Sequence, residues 1–245
     1  INQDTKILDT GFIELGGVTF NNWYWLESQK TDGELGIVKA LARSNDTFFY
    51  RLGEMLGDQQ IYKTSTDFGL GRKTGIELPN ETLGLVPNSA WKKEKYGEIW
   101  YAGETLNMSI GQGYLLVSPL QLSVATNVFA NGGKVLKPSI IKGSQVEVAK
   151  ENFLRPETIR AVQEGMYANT YGEGNVSYLF NNFKVPTAGK TGSAESGGDK
   201  PHSWYTAYGP YEDPKVAVTV MFERAGHGSE VSAPVAKKIF DYYLK

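Results

Sequence analysis

Cysteine is absent from this sequence of 245 residues, and histidine occurs only twice, as His202 and His227. The lack of cysteine excludes disulfide bonds and thiolate metal sites, and two histidines are too few for a histidine-rich metal site. No apolar run reaches the length of a membrane-spanning helix. Basic clusters are missing as well, and the formal net charge is −2, so the composition argues against nucleic-acid binding.

The residues that are present have the composition of a globular protein, with 40% apolar and 21% charged side chains. A chain of this length fits one large domain or two small ones. We find no internal repeats and no low-complexity linker. The first residue is Ile1 rather than methionine, and the opening resembles the interior of a longer protein, so we expect further sequence upstream.

Helical patterns dominate the middle of the chain. Apolar residues recur at helical spacing between Leu35 and Leu56, and Ser44 is the expected N-cap of the helix that carries them. Ser118 and Gln121 predict a capping box at the start of another helix. Further helices are predicted over residues 58–70 and 156–170, whereas residues 1–33 are predicted as loops with brief strands and 79–105 as an irregular segment.

The last third of the chain favours strands. Val216, Val218, Val220 and Phe222 alternate with other residues, as expected of a half-buried strand. Three strands are predicted within "TAGKTGSAE", "SWYTAYGPY" and "KVAVTVMFER", and a final helix within "VSAPVAKKIFDYYLK". Helices followed by an antiparallel sheet indicate the α+β class.

The first of these strands contains Lys190, Thr191 and Gly192, followed by Ser193. A phosphate-binding loop would need glycine at position 184, which is Lys184, so that interpretation is rejected. An ordinary surface turn remains possible for such a tripeptide, which also occurs at residues 73–75. The alternative is a strand that lines an active site, where glycine permits close approach and lysine and hydroxyl groups bind an anionic ligand.

A second candidate motif, Ser44-Asn45-Asp46, stands at the start of a predicted helix. Taken alone it is equally typical of a helix cap. The wider sequence favours the catalytic interpretation, on the stretches "RSNDTFFYRLGEMLG", "FGLGRKTGIELPNE", "GLVPNSAWKKEKYG", "WYAGETLNMSIGQGYLLVSPLQL", "AGKTGSAE" and "PHSWYTAYGPYEDPKVAVTVMFE". In this order they resemble the transpeptidase domain of class B penicillin-binding proteins, in particular the penicillin-binding protein 2 group of cell elongation.

The resemblance implies an α+β penicillin-binding fold related to serine β-lactamases, in which an antiparallel sheet has a helical cluster on one side and covering helices on the other. It also implies a role for each site residue. Ser44 would relay a proton, and Asp46, where asparagine is commoner, would orient a nearby lysine and bind the substrate backbone. Lys190 would supply positive charge, Thr191 and Ser193 would bind the substrate carboxylate, and Gly192 would let it approach. The Ser193 N–H would form half of an oxyanion hole, and its side chain stands where threonine is usual.

The nucleophile of the family lies in a Ser-x-x-Lys tetrad before the Ser44 triplet, and no such tetrad occurs there. Two tetrads occur later, Ser89 to Lys92 in the irregular segment and Ser139 to Lys142 in a predicted strand. A strand would point Ser139 and Lys142 to opposite faces. We interpret both as chance matches and expect residues 1–245 to be the C-terminal part of one transpeptidase domain whose nucleophile segment lies upstream.

The resemblance implies a peptidoglycan D,D-transpeptidase that is inhibited by β-lactams and uses no cofactor or metal. Its expected partners are stem peptides, β-lactams, the upstream segment of the same protein and membrane proteins of cell elongation, with no nucleic acid. The expected location is the extracytoplasmic side of the bacterial inner membrane, held by an anchor upstream. Two alternatives stay open: a serine β-lactamase or β-lactam sensor, for which no deacylating glutamate is recognised, and a non-catalytic interaction module.

Overall fold

Helices fill the middle of the chain and strands its last third in a computed structural model that describes residues 2–244. The helices are α1 (Trp23–Ser28), α2 (Ile37–Arg43), α3 (Asp46–Asp67), α4 (Ser89–Tyr96), α5 (Ala102–Ser109), α6 (Pro119–Ala130), α7 (Pro156–Tyr171), α8 (Ser177–Phe180) and α9 (Ser232–Tyr243). The strands are β1 (Ile7–Leu8), β2 (Phe12–Leu15), β3 (Val18–Asn21), β4 (Glu34–Leu35), β5 (Val135–Leu136), β6 (Val148–Lys150), β7 (Ala188–Ala194), β8 (His202–Gly209) and β9 (Val216–Phe222). The predicted α+β class is confirmed.

The principal sheet is the predicted antiparallel set of three strands, in the order β7-β8-β9. Its register pairs Lys190 with Thr206 and Ser193 with Ser203. Strand β7 is therefore an edge strand, with β8 as its partner in the described part of the chain. An edge strand presents backbone N–H and C=O groups to which an extended peptide can bind.

Helices cover both faces of this sheet, as the resemblance implied. On one face Tyr205 and Ala207 pack with Val176 and Phe180 around α8 and with Phe240 of α9, and all of these side chains are buried. On the other face Tyr208 packs with side chains of α6 and α7, among them Phe129 and Met166. This packing fixes the strand that carries Lys190 with respect to the helices.

The helical middle agrees with the sequence pattern where local signals are strong. Ser118 accepts a hydrogen bond from the Gln121 N–H at 3.1 Å and the Gln121 side chain accepts one from Ser118 N–H at 2.9 Å, which confirms the capping box. Helix α3 is interrupted at Gly57, which has φ 73° and ψ 167°, so the two helices predicted on either side of that residue are also present.

The expectation of an irregular segment over residues 79–105 is wrong, because α4 and the start of α5 lie within it. The Asn88 side chain caps α4 by accepting the Trp91 N–H at 2.8 Å, and the Trp91 ring packs against Tyr96 and Tyr114. Helix α1 was likewise not predicted, although the brief strands around it were. Among residues 2–244 no helix is both long enough and apolar enough to cross a membrane.

Candidate active site

The Ser44 triplet lies at the junction of α2 and α3, but Ser44 is not the N-cap of α3. Its backbone is left-handed, with φ 53° and ψ 46°, and ends α2. Asn45 is the N-cap instead, and its side-chain oxygen accepts the Phe48 N–H at 2.9 Å. A non-glycine residue in this conformation is uncommon and is found mainly where the surroundings impose it. Because Asn45 caps α3, the Ser44 hydroxyl is available for contacts outside the helix.

That hydroxyl meets the lysine of the sheet. Lys190, on β7, donates through Nζ to Ser44 Oγ and to the Thr191 carbonyl oxygen at 3.0 Å. Asn175 Nδ2 lies 3.4 Å from the same hydroxyl oxygen. The fold thus joins the two motifs that the sequence analysis singled out, although 146 positions separate them.

Asp46 occupies the first turn of α3 beside this pair. Its Oδ2 accepts the Trp23 N–H at 3.0 Å, and its own N–H donates to Asn22 Oδ1 at 3.2 Å. Burial raises the pKa of Asp46 to about 6, with a further contribution from the charge of Asp9, while the Trp23 N–H and Lys190 act in the opposite direction.

The pKa of Lys190 is shifted in the opposite direction to that of Asp46. Burial lowers the pKa of the Lys190 ammonium to about 8, and the negative charge of Asp46 opposes the change. Both groups therefore titrate near neutral pH. Shifts of this kind are concentrated at sites where charge does chemical work, although structural ion pairs also produce them.

Thr191 and Ser193 share one face of β7, and Lys190 and Gly192 share the other, because side chains alternate along a strand. The exposed Ser193 hydroxyl accepts the Gly228 N–H at 3.3 Å and lies 3.3 Å from His227 Nδ1. A side chain at Gly228 could not be accommodated, since its Cβ would stand 2.6 Å from the Gly192 carbonyl oxygen. The loop after β9 therefore packs closely on the strand that carries the candidate site.

Three residues next to the site were not predicted from the sequence. Gln112 Nε2 donates to the Ser193 carbonyl oxygen at 3.3 Å, so the turn between Gly111 and Gly113 adjoins β7. Asn175 reaches Ser44 and His227 reaches Ser193 from distant parts of the chain. No local sequence pattern predicts these contacts, because each depends on tertiary packing.

The tetrad from Ser89 to Lys92 does lie on a helix, contrary to expectation, yet its geometry does not fit a nucleophile and base. The Lys92 ammonium is 2.6 Å from Glu104 Oε1 and 3.4 Å from Glu98 Oε2. Burial favours a lower pKa for Lys92, but the hydrogen bonds that its ammonium donates to Glu104 and Glu98 outweigh this effect and raise the pKa. A lysine held protonated in this way cannot accept a proton from Ser89.

The tetrad from Ser139 to Lys142 lies in a loop after β5, so the predicted strand is wrong there. The Ser139 hydroxyl donates to Glu77 Oε1 at 2.6 Å, and the same carboxylate accepts the Ile140 N–H at 3.1 Å through Oε2. These contacts give Ser139 a structural part in the loop. Lys142 is exposed.

The chain is similar to known proteins over nearly its whole length. The profile of the family described as "Penicillin binding protein transpeptidase domain" matches residues 1–241. The "Peptidoglycan D,D-transpeptidase MrdA" of Haemophilus influenzae is 36% identical over 277 aligned positions, which cover 100% of this chain and 41% of that protein. The chain therefore spans well under half the length of this curated relative.

Solved structures show the same fold. The penicillin-binding protein PBP2 from Helicobacter pylori matches with a TM-score of 0.90 at 32% identity, covering 100% of this chain and 46% of that one. The same protein in a complex with MreC matches with a TM-score of 0.88 at 31% identity, over 100% of this chain and 46% of that one. The match over residues 1–241 and the arrangement of Ser44, Asp46 and Lys190 lead to one conclusion: the chain belongs to the penicillin-binding protein transpeptidase family, with PBP2 proteins among its relatives.

Proposed function

We propose that the protein is a serine-type peptidoglycan D,D-transpeptidase that cross-links stem peptides and is inhibited by β-lactams. The observation that carries the proposal is the contact of Lys190 with Ser44 at an edge strand that also presents Thr191 and Ser193. A ligand with a backbone and a terminal carboxylate can lie along such a strand, and the cation and hydroxyls suit its carboxylate. A D-Ala-D-Ala terminus and a β-lactam both have these features.

In the first chemical step, the oxygen of a serine nucleophile attacks the carbonyl carbon between the two D-Ala residues. The new ester bond forms, the C–N bond breaks, and the serine proton passes to the departing amine. An amine from a neighbouring stem peptide then attacks the ester carbon: the new amide C–N bond forms, the ester C–O bond breaks, and a proton from the amine returns to the serine oxygen. Splitting the exchange in two lowers each barrier. Lys190 stabilises negative charge at the reacting carbonyl and carboxylate, and the Ser193 N–H donates to the oxyanion.

Ser44 relays the proton in this proposal, because its hydroxyl accepts a hydrogen bond from the Lys190 ammonium at the junction of α2 and α3. Asp46, held by the Trp23 N–H, balances the charge of Lys190 and fixes its direction. The nucleophile itself is assigned to a Ser-x-x-Lys segment of the same domain outside residues 1–245, since Lys92 is held by two carboxylates and Ser139 by Glu77.

The proposal extends to location and partners. We assign the domain to the extracytoplasmic side of the bacterial inner membrane, where its substrate lies, and attribute anchoring to another part of the protein. The PBP2 structure in complex with MreC supports a membrane-associated protein of cell elongation as one partner.

Labelling of the full-length protein with a fluorescent penicillin tests the proposal. We expect a covalent adduct that persists well beyond minutes, and peptide mapping should find it on a Ser-x-x-Lys serine outside residues 1–245. Hydrolysis of the adduct within minutes would favour the β-lactamase alternative, and the absence of any adduct would favour a non-catalytic module. The matched variants are Ser44→Ala, which should slow labelling, and Ser144→Ala, which should not.

A further inference from the structure

A buried carboxylate lies beneath the Ser44 triplet. Asp9 is 3% exposed. Its Oδ1 accepts the Gly11 N–H at 2.9 Å, and its Oδ2 accepts the Asp32 N–H at 2.9 Å, Asn22 Nδ2 at 3.0 Å and Asn45 Nδ2 at 2.8 Å. A carboxylate removed from water is costly unless such donors compensate it.

The donors keep Asp9 ionised. Burial favours a higher pKa, but the Asp32 and Gly11 N–H groups and the Asn45 amide outweigh it, so the pKa of Asp9 is lowered. These four donors are uncharged N–H groups, so they satisfy the carboxylate without neutralising its negative charge. Such an arrangement orients amide groups as well as satisfying the carboxylate.

Two of those amides control the surroundings of Asp46. The Asn22 side chain gives its N–H to Asp9 and its oxygen to the Asp46 N–H, and the next residue, Trp23, donates its N–H to the Asp46 carboxylate. The Asn45 side chain gives its N–H groups to Asp9 at 2.8 Å and to Asp32 Oδ2 at 3.1 Å, and its oxygen accepts the Phe48 N–H at the start of α3. Asp46 is thus flanked on both sides by groups that Asp9 fixes.

We infer that Asp9 is a positioning residue for the acylation step: through Asn22 and Asn45 it fixes the triplet so that Ser44 faces Lys190 and Asp46 faces the Trp23 N–H. The inference rests on the proposed function. Asp9 itself touches neither substrate nor Lys190, so its effect is transmitted through the two amides. The same charge contributes to the raised pKa of Asp46. An asparagine at position 9 would lose the charge and place an N–H group against the N–H donors that now face the carboxylate.

The test uses the full-length protein with Asp9→Asn and a penicillin whose acylation is followed over time. Measuring the rate against penicillin concentration separates the limiting acylation rate constant from the half-saturating concentration, and end-point labelling gives the fraction of competent molecules. We expect the limiting rate constant per competent molecule to fall about tenfold or more, with the half-saturating concentration nearly unchanged.

The matched control is Asp67→Asn. Asp67 is also a structural carboxylate, paired with Lys63 at 2.8 Å and Lys150 at 2.5 Å, but it lies away from the site. This variant should lose stability and keep the wild-type rate constant. A lower competent fraction in Asp9→Asn with a wild-type rate constant would reduce Asp9 to a purely structural role and overturn the inference.

A second variant decides the matter if Asp9→Asn does not fold. Asn22→Ala breaks the connection to the Asp46 N–H and leaves Asp9 its other three donors. We expect a loss of roughly fivefold in the same rate constant, and an unchanged value overturns the inference. A wild-type protein that forms no adduct would instead contradict the proposed function, so the two failures are distinguishable.

Discussion

The chain contains the tripeptide Lys-Thr-Gly twice, and the fold places the two copies in different surroundings. At residues 73–75 it lies in a loop, where the Thr74 and Gly75 N–H groups donate to the Glu81 carboxylate at 2.7 Å and 3.1 Å, and Lys73 is exposed. At residues 190–192 it lies on the edge strand β7, and Lys190 contacts Ser44.

The difference shows that the tripeptide alone does not determine a catalytic or binding role. In the loop, two of its backbone N–H groups donate to the Glu81 carboxylate, and the exposed Lys73 acts on that carboxylate only through its charge. On β7 the lysine lies beside the Ser44 hydroxyl, and burial lowers its pKa to about 8 against the opposing charge of Asp46. Function follows from the burial and the partners that the sheet and α3 impose.

The largest expected effect comes from removing each lysine in turn in the full-length protein. Lys190→Ala should lower the second-order rate of acylation by penicillin by about a hundredfold or more, which corresponds to roughly 2.7 kcal/mol. Lys73→Ala should leave the rate unchanged. Stopped-flow or gel-based labelling measures both. Equal rates for the two variants would remove the distinction between the copies.

The pH dependence of acylation should reveal the shifted pKa values of the β7 site. The rate should fall below about pH 6 as Asp46 becomes protonated, and above about pH 8 as Lys190 loses its proton. Lys190→Arg keeps its charge at alkaline pH and should lose the basic limb. A flat profile between pH 5 and 9, or one that Lys190→Arg does not change, would contradict this assignment.

Asp46→Asn should stabilise the fold while slowing acylation. Because the folded-state pKa of about 6 exceeds the ordinary value of 3.8, stability from the protonated carboxyl is present at low pH and is lost as pH rises through 6. Asparagine still accepts the Trp23 N–H, so the free energy of unfolding at pH 7 should rise by roughly 2 kcal/mol.

Denaturant unfolding at pH 7 and pH 4 measures the difference in free energy of unfolding between Asp46→Asn and the wild-type protein. The gain should nearly disappear at pH 4, where the wild-type carboxyl is protonated in the folded state and partly so in the unfolded state. A destabilised Asp46→Asn protein at pH 7 would show that the carboxylate is a structural anchor rather than a strained site residue.

The smallest effect is expected at the Lys-Thr-Gly tripeptide in the loop, residues 73–75. Glu81→Gln removes the charge that holds the Thr74 and Gly75 N–H groups and should cost at most about 1 kcal/mol in stability. Acylation should keep the wild-type rate. A slower acylation here would mean that the loop at residues 73–75 communicates with β7.

How much the sequence predicts depends on the range of the interactions concerned. Alternation predicted β9, and the Ser118 capping box predicted the start of α6, because both signals are local. Helix α1 was not predicted, since Trp23 is held by Asp46 and by the Arg43 carbonyl oxygen, which accepts its indole N–H at 2.9 Å. The site residues were predicted from the resemblance to penicillin-binding proteins rather than from local patterns.

The conformation of Ser44 shows the limit most clearly. Ser-Asn-Asp fits a helix cap with either Ser44 or Asn45 in the N-cap position. Asn45 takes it because Asp9 and Asp32, both distant in sequence, accept its side-chain N–H groups and leave its oxygen for the Phe48 N–H. Only the folded chain reveals that choice.

The most direct test of the account is the crystal structure of the full-length protein acylated by benzylpenicillin. It should show the antibiotic lying along β7, with its carboxylate within hydrogen-bonding distance of the Thr191 and Ser193 hydroxyls and the Lys190 ammonium still in contact with Ser44. An adduct on Ser89 or Ser139, or a carboxylate bound away from β7, would contradict it.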